Sequence, residues 1–313
     1  MIKAFKIHRP KTDSEATELF GDEVKHSMFK DLTKVEFTNL DKILYPELGI
    51  TKAQVIEYYV RIAPKMLGLL EKRPLVMTRY PDGINKEGFY EKDAPLGTPS
   101  WVETFRRFAE TSQREINYVV CSSLDTLIWL ANLAALEIHM TLSRTDSFES
   151  PDLLLFDLDP KPPSGFDEAV NVAFLLKDKL DTLGLRSYPK TSGKNGLHIV
   201  VPIHEEHGFE QTREFVHQMA QSLEKESGIV ASEFASAKKP GVVFIDYRQN
   251  SEGRTMICPY SLRATGNGTF SMPLSWSDFQ KRIKPTEFTL LTAAKVENNP
   301  WKGLFADKQK LEV

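Results

Sequence analysis

Two aspartates one residue apart, Asp157 and Asp159, close a short apolar run, Leu153 to Phe156, that Pro160 then stops. A continuous apolar run of this length between prolines reads as a buried strand. Side chains alternate faces along a strand, so both carboxylates project from one face at its end, with Leu158 turned the other way. Such neighbours repel, and drying them is costly unless a cation lies between them. Mg²⁺ and Mn²⁺ are held in this way, by a few carboxylates plus the phosphates of a substrate. The run Val242 to Ile245 repeats the arrangement and delivers a third carboxylate, Asp246. Three acids around two ions can clamp the attacking and leaving oxygens of phosphoryl transfer. The blander alternative is a strand that ends in solvent-facing aspartates beside a turn.

Phosphate chemistry also needs donors. The stretch Thr191-Ser-Gly-Lys-Asn-Gly-Leu-His198 has small residues that let backbone N–H groups turn toward one point, a nest for phosphate oxygens. Ser192, Lys194 and His198 add polar donors, and no acidic residue occurs from Leu185 to Ile203. Arg263, at the end of Pro259-Tyr-Ser-Leu-Arg263, is a candidate phosphate clamp. Past the turn Pro81-Asp-Gly83, the run Gly88-Phe-Tyr-Glu-Lys92 sets Phe89 and Tyr90 beside lysines. That pair either stacks on bases or packs at least one ring into the core.

The elements that must position these residues can be read around them. A capping box at Thr51-Lys-Ala-Gln54 opens a helix whose apolar positions are Val55, Tyr58, Tyr59, Ile62, Met66 and Leu70, with Pro64 expected to kink or divide it. Arg61, Lys65, Lys72, Arg73 and Arg79 suggest a basic surface nearby. Strands are expected over 74–80, 116–120 and 199–203. Residues 123–138, apolar nearly all round, read as a buried helix that delivers His139 at its end. Ser164 to Asp167 reads as the cap of a helix running to Leu183, with Gly184 after it, and residues 210–227 as an amphipathic helix with Phe215, Val216, Met219 and Leu223 inward. A short helix is expected from Trp276 to Ile283.

With 313 residues, 41% hydrophobic and 27% charged, the chain has ordinary globular composition. A formal net charge of -3 means that any nucleic-acid binding must use local patches. The only two cysteines, Cys121 and Cys258, give neither a disulfide framework nor a zinc spacing, which suits a reducing, cytoplasmic setting. No apolar run approaches the roughly 20 residues that span a bilayer, so no membrane partner is expected.

Taken together in order, Asp-Lys-Ile-Leu-Tyr-Pro46, Thr51-Lys52, Arg73-Pro74, Arg79-Tyr-Pro-Asp-Gly83, Phe89-Tyr-Glu-Lys92, Leu154-Leu-Phe-Asp-Leu-Asp-Pro160, Ser192-Gly-x-x-Gly-x-His198, Val243-Phe-Ile-Asp-Tyr247 and Pro259-Tyr-Ser-x-Arg263 resemble the polymerase domain of bacterial and archaeal end-joining proteins, a branch of the archaeo-eukaryotic primase superfamily. The resemblance implies an α/β (α+β) fold with a primase-like catalytic core of mixed central sheets flanked by helices. It sets a catalytic domain at 33–302, an N-terminal extension at 1–32 and a C-terminal tail at 303–313. By position, Asp157, Asp159 and Asp246 match the catalytic, metal-binding carboxylates. His139, Ser192, Lys194, His198, Lys239 and Arg263 match the nucleotide-binding region. Lys42, Lys52, Arg79, Phe89 and Tyr90 match the DNA-binding region, Lys42 contacting a 5′-phosphate and the aromatic pair stacking on the template. Two positions depart: relatives often carry lysine where this chain has Thr78, and the loop's positive residue is Lys194, where relatives can have it one place later, at Asn195.

The activity so implied is nucleotidyl transfer to DNA 3′ ends at gaps and double-strand breaks, with two Mn²⁺ (or Mg²⁺) ions and a taste for ribonucleotides. Implied partners are DNA ends with a 5′-phosphate, nucleoside triphosphates and Ku, together with an ATP-dependent DNA ligase and a phosphoesterase to which relatives are often fused. At 313 residues this chain has room for neither, so it is read as stand-alone or excised. One alternative is a phosphatase of the haloacid-dehalogenase type, whose Asp-x-Asp normally continues with Gly where this chain has Pro160-Lys161-Pro162. The other is a non-catalytic module that binds DNA ends.

Overall fold

The structure, a computed structural model, describes residues 34–109 and 113–312. The extension expected at 1–32 lies outside them.

Two sheets make the frame. One has five strands in the order β11-β12-β8-β10-β9, namely Val230–Ala231, Val243–Ile245, Leu153–Pro160, Leu197–Pro202 and Tyr188–Thr191. Its β11–β12 pair is parallel and the other pairs are antiparallel, so the sheet is mixed. The second has six strands: β13 (Thr255–Ile257), β7 (Ala135–Thr141), β3 (Pro74–Arg79), β6 (Arg114–Val120) and β5 (Thr104–Ala109) in that order, with β4 (Phe89–Glu91) paired to β3. A two-stranded ribbon, β1 (Ile43–Tyr45) with β2 (Ile50–Thr51), precedes the first helix. Helices α1 (Lys52–Leu70) and α2 (Leu124–Asn132) pack together beside the six-stranded sheet, while α3 (Phe166–Thr182) and α4 (Phe209–Glu226) pack on the five-stranded one. The short α5 (Trp276–Gln280) touches β9.

The capping box that opens α1 is present, with Thr51 N–H donating to Gln54 Oε1 at 2.9 Å and Gln54 N–H to Thr51 Oγ1 at 3.4 Å. The helix is continuous across Pro64, so the expected division does not occur. Its inward stripe, Val55, Tyr58, Tyr59, Ile62, Met66 and Leu70, is buried as expected, and the burial of such a stripe outweighs the single backbone bond that proline removes.

The expected buried helix over 123–138 is corrected. It stops at Asn132; Ala134 takes the left-handed φ of +56°, and the chain reverses into β7. A continuous apolar run suits a strand buried on both faces as well as a buried helix, and periodicity alone cannot separate the two. His139 therefore sits on a strand, on the same face as Glu137 and opposite to Leu136, Ile138 and Met140. A smaller correction concerns α3, which is capped by Glu168 accepting Gly165 N–H at 2.7 Å; Asp167 instead faces Arg282 at 3.3 Å.

The basic surface expected around α1 is largely taken up internally. Arg73 is fully buried and donates both Nη2 contacts to Asp152 at 2.7 and 2.8 Å. Arg144 reaches the same carboxylate at 3.0 Å, and the guanidiniums of Arg73 and Arg144 both lie over the Phe305 ring, at 4.8 and 4.6 Å. Residues 303–312 are thus no loose tail: Leu304 and Leu311 are buried, and Gln309 bonds to the backbone of Arg186, Pro202 and His204.

A buried pair broken on one side leaves a bare charge, at a cost of about 3–5 kcal/mol. Asp152→Ala should lower the free energy of unfolding, read by denaturant titration, by that amount, and Arg73→Met combined with Asp152→Leu should recover part of the loss, Arg144 being left without the carboxylate.

Candidate active site

Strand β8 is flanked by β10 on one side and β12 on the other, and this order gathers the acids. The register sets Phe244 against Asp159 and Ile245 against Leu158, so the next residue, Asp246, arrives beside Asp157. Its N–H donates to the Asp157 carbonyl at 2.9 Å. Neighbouring strands place opposed Cα atoms about 4.5–5.5 Å apart, well within the span of a two-cation site. Because β12 ends there, Leu155 has no ladder partner on that side, and the Asn250 side chain supplies one, accepting its N–H at 2.8 Å and donating to its carbonyl at 2.7 Å.

Burial, and next the charge of Asp246, lift the Asp157 carboxyl to about 7. Burial, and next Asp157, lift Asp159 to about 6. Asp246 Oδ1 accepts from Arg248, from Nε at 3.0 Å and N–H at 3.2 Å. Among the described residues no group of three or more His, Cys, Asp or Glu side chains is gathered closely enough to hold a metal ion as it stands. The donor set nonetheless suits a hard divalent cation: three carboxylates at adjacent strand ends, two of them with pKa values raised chiefly by drying and next by the neighbouring acids, a penalty that a cation would relieve. Such a cation would compete with Arg248 for Asp246.

A cavity of about 420 Å³ opens over this edge, lined by Asp157, Asp159, Ser192, Lys194, His198, Arg263 and His139. His198 lies deep, its Nε2 3.3 Å from Asp157 Oδ1 and its buried Nδ1 without a hydrogen-bond partner. Burial, and next the charge of Lys190, push its pKa well below the usual imidazole value, so it stays neutral. The fully buried Lys190 itself is brought down to about 7 by burial.

The loop from Ser192 to Gly196 presses against both partners. A Cβ at Gly193, where φ is +76°, would come within 2.6 Å of Arg263 Cγ; one at Gly196 would lie 2.9 Å from the Leu158 carbonyl. Only glycine fits either place. The expected nest is partly closed, because Lys194 N–H and Gly196 N–H both donate to Ser192 Oγ, at 3.3 and 3.1 Å. Arg263 follows a sharp bend at Tyr260, whose φ of +67° is held by Tyr58 Oη donating to the Tyr260 carbonyl and by Tyr260 N–H donating to Ser271.

Sequence reasoning missed Glu137, although a lone acid two residues before a candidate ligand inside an apolar stretch was a usable signal. It is 5% exposed, and its Oε1 lies 3.3 Å from Arg263 Nε and 3.6 Å from Lys194 Nζ, while Oε2 lies 3.6 Å from His139 Nε2. Burial works to raise its pKa, but His139, Arg263, Lys194 and the Ala264 N–H together outweigh it and hold the carboxyl at about 2.

The remaining residues of the sequence reading are more scattered. Lys239 is exposed, does not line the cavity and has Glu224 as a nearby charge. Lys52 is 5% exposed, with Nζ bonded to the Asn132 carbonyl at 2.9 Å and to Thr38, which gives it a structural task in place of the expected DNA contact. Arg79 is partly buried and tied to Glu91 at 3.0 Å. Lys42 is paired with Asp82 at 2.6 Å in the open. Phe89 and Tyr90 are 55% and 58% exposed, so neither ring enters the core. Being consecutive on a strand they face opposite ways. Tyr90, opposite Thr78, lines a second cavity of about 490 Å³ with Lys92, Arg107, Phe108 and Arg254; it adjoins the first at His139, Gln249 and Thr255.

Lifted carboxyls make a pH signature. Folding raises Asp157 and Asp159 above their unfolded values, so the stability they contribute is present below about pH 4 and is lost as pH rises through about 6 to 7. In chelator, the melting temperature should fall between pH 5 and pH 8. Asp157→Asn should flatten that fall, and Mn²⁺ at pH 8 should reverse it in the unmutated chain alone.

Comparison with known proteins agrees with this geometry. The family model described as LigD, primase-polymerase domain, matches residues 51–301. The bifunctional non-homologous end joining protein LigD of Bacillus subtilis is 34% identical over 261 residues, 83% of this chain and 42% of that protein. The multifunctional LigD of Mycolicibacterium smegmatis is 34% identical over 248 residues, 78% of this chain and 32% of that protein. The chain thus spans less than half the length of these curated relatives. A solved structure of the polymerase domain from Mycobacterium tuberculosis Ligase D in complex with DNA superposes with a TM-score of 0.80 at 30% identity, covering 88% of this chain and 99% of that one.

Proposed function

The chain belongs to the LigD primase-polymerase domain family, with its primase-like fold, and from that premise we propose that it is a nucleotidyltransferase that extends DNA 3′ ends at gaps and double-strand breaks in non-homologous end joining. The observation that carries this reading is the convergence of Asp157, Asp159 and Asp246 at one sheet edge, where Asp157 and Asp159 line a cavity together with His139, Ser192, Lys194, His198 and Arg263.

In the reaction the primer 3′-hydroxyl attacks the α-phosphorus of a nucleoside triphosphate and pyrophosphate leaves in line. Asp157, Asp159 and Asp246 would hold two divalent cations, Mn²⁺ by preference. Bound there, the cations supply Lewis acidity to the attacking hydroxyl and neutralise the leaving phosphates. The chain's own part is to position. Lys194 and Arg263 meet the phosphate tail with charge, and Ser192 keeps the loop folded against β8. His198, neutral and fixed beside Asp157, can donate or accept a hydrogen bond without adding charge. No protein side chain needs to take the hydroxyl proton.

Nucleic acid would run along the second cavity, where Lys92, Arg107 and Arg254 offer charge and Tyr90 and Phe108 offer faces for stacking. Lys42 would take a 5′-phosphate. It is now paired with Asp82 in solvent, an exposed ion pair that contributes little and is easily exchanged. A preference for ribonucleotides, recruitment by Ku, and work alongside an ATP-dependent ligase and a phosphoesterase complete the proposal. No described helix is long and apolar enough to cross a membrane, and both cysteines are free and buried, which supports a reducing cytoplasm as the setting.

Two measurements test it. With Mn²⁺ and a 5′-phosphorylated gapped duplex, Asp157→Asn should cut primer extension by on the order of 10²–10³ or more while DNA binding stays near normal; extension at the wild-type rate would reject the site. Lys42→Ala should erase the preference for phosphorylated over unphosphorylated gaps, read as a binding ratio that falls toward one.

A further inference from the structure

Glu137 is a carboxylate in the wrong place for a phosphate site. It stands within 3.3–3.6 Å of Arg263, Lys194 and His139, three groups that line the cavity proposed for the triphosphate, and only 5% of it is exposed. These separations exceed the 2.7–2.9 Å of a direct charge-assisted hydrogen bond. Among the described residues, moreover, Arg263 Nε has no hydrogen-bond partner, so it meets Glu137 by charge alone. The carboxylate itself is fixed: it accepts the Ala264 N–H at 3.1 Å and rides on β7 at the register of Thr78.

Such an arrangement does two opposed things. It gathers three donors around a common charge before any ligand arrives, which reduces the ordering needed on binding. It also leaves a fixed negative charge beside the bed, where a weakly screened like charge opposes every phosphate. We propose that Glu137 is a positioning residue that serves as counter-charge to the triphosphate donors, weakening the hold on pyrophosphate so that the product leaves. The proposal rests on the nucleotidyl-transfer reading above. Glu137 touches neither substrate nor reacting atoms; it acts through Arg263, Lys194 and His139.

The test measures equilibrium binding of ATP and of inorganic pyrophosphate to the whole chain with Mn²⁺, alongside steady-state primer extension. Glu137→Gln keeps the shape and the Ala264 contact and removes the charge. It should tighten pyrophosphate and ATP by about tenfold each and lower kcat along with KM, as slower product release requires. Glu137→Asp restores the charge and should return the pyrophosphate affinity toward that of the unmutated chain. If Glu137→Gln does not fold, the neutral Glu137→Met carries the test: it removes the charge at similar size and should tighten pyrophosphate in the same direction. A Glu137→Gln protein that binds pyrophosphate less tightly, or within twofold of the unmutated chain, overturns the proposal, as does an Asp variant that behaves like Gln. An unmutated chain that binds neither ligand rejects the nucleotidyl-transfer reading instead, so the two failures are distinct.

Discussion

Like charges that cannot escape one another organise this molecule. Asp157 and Asp159 share one strand face, and Asp246 joins them from the neighbouring strand. Ordinary folding would scatter three carboxylates into water, because a desolvated anion without a partner is among the costliest things a protein can bury. Here β8 and β12 hold them together while partly drying them, and the pKa values of the first two are raised as a result. The frame must supply the energy that this convergence withholds. It does so with a buried stripe on α1 and a continuous apolar core.

The second sheet brings the opposite charge. Strand β7 carries His139 and Glu137 on the face toward the cleft, and the bend after Tyr260 brings Arg263 to the same place. The site is therefore a seam: acids from one sheet, and donors from the other sheet and from the loop before β10. Neither sheet alone contains it. Glu137 belongs to the donor side yet carries the acid's charge, so its sign runs against its surroundings, as that of Arg248 does beside Asp246 on the acid side.

Much of this was legible in the sequence. The acids were readable because a strand ending is marked by an apolar run, and alternation fixes which side chains share a face; both facts are local. The loop from Ser192 to His198 was readable because glycine at close approaches leaves a visible trace. His139 was located as a residue, but on the wrong element, because a continuous apolar stretch fits a buried helix or a strand buried on both faces equally. Lys52, which the resemblance set among DNA-binding positions, is enclosed and bonded to Asn132 and Thr38, contacts that local periodicity does not report. Glu137 had no local signature beyond its oddity: its meaning lies in Lys194 and Arg263, which are far from it in sequence and meet it only when the sheets close. The docking of residues 303–312 was hidden for the same reason.

Strand β4 has a cost outside the chemistry. Its two solvent-facing rings ride on an edge pairing with β3 alone, the arrangement that invites further strands to add and chains to clump. Two devices limit the hazard: the edge is three residues long, and Lys86, Glu87, Lys92 and Asp93 flank it with charges of both signs. An exposed aromatic pair has been kept on an edge too brief, and too well guarded, to grip another copy of itself.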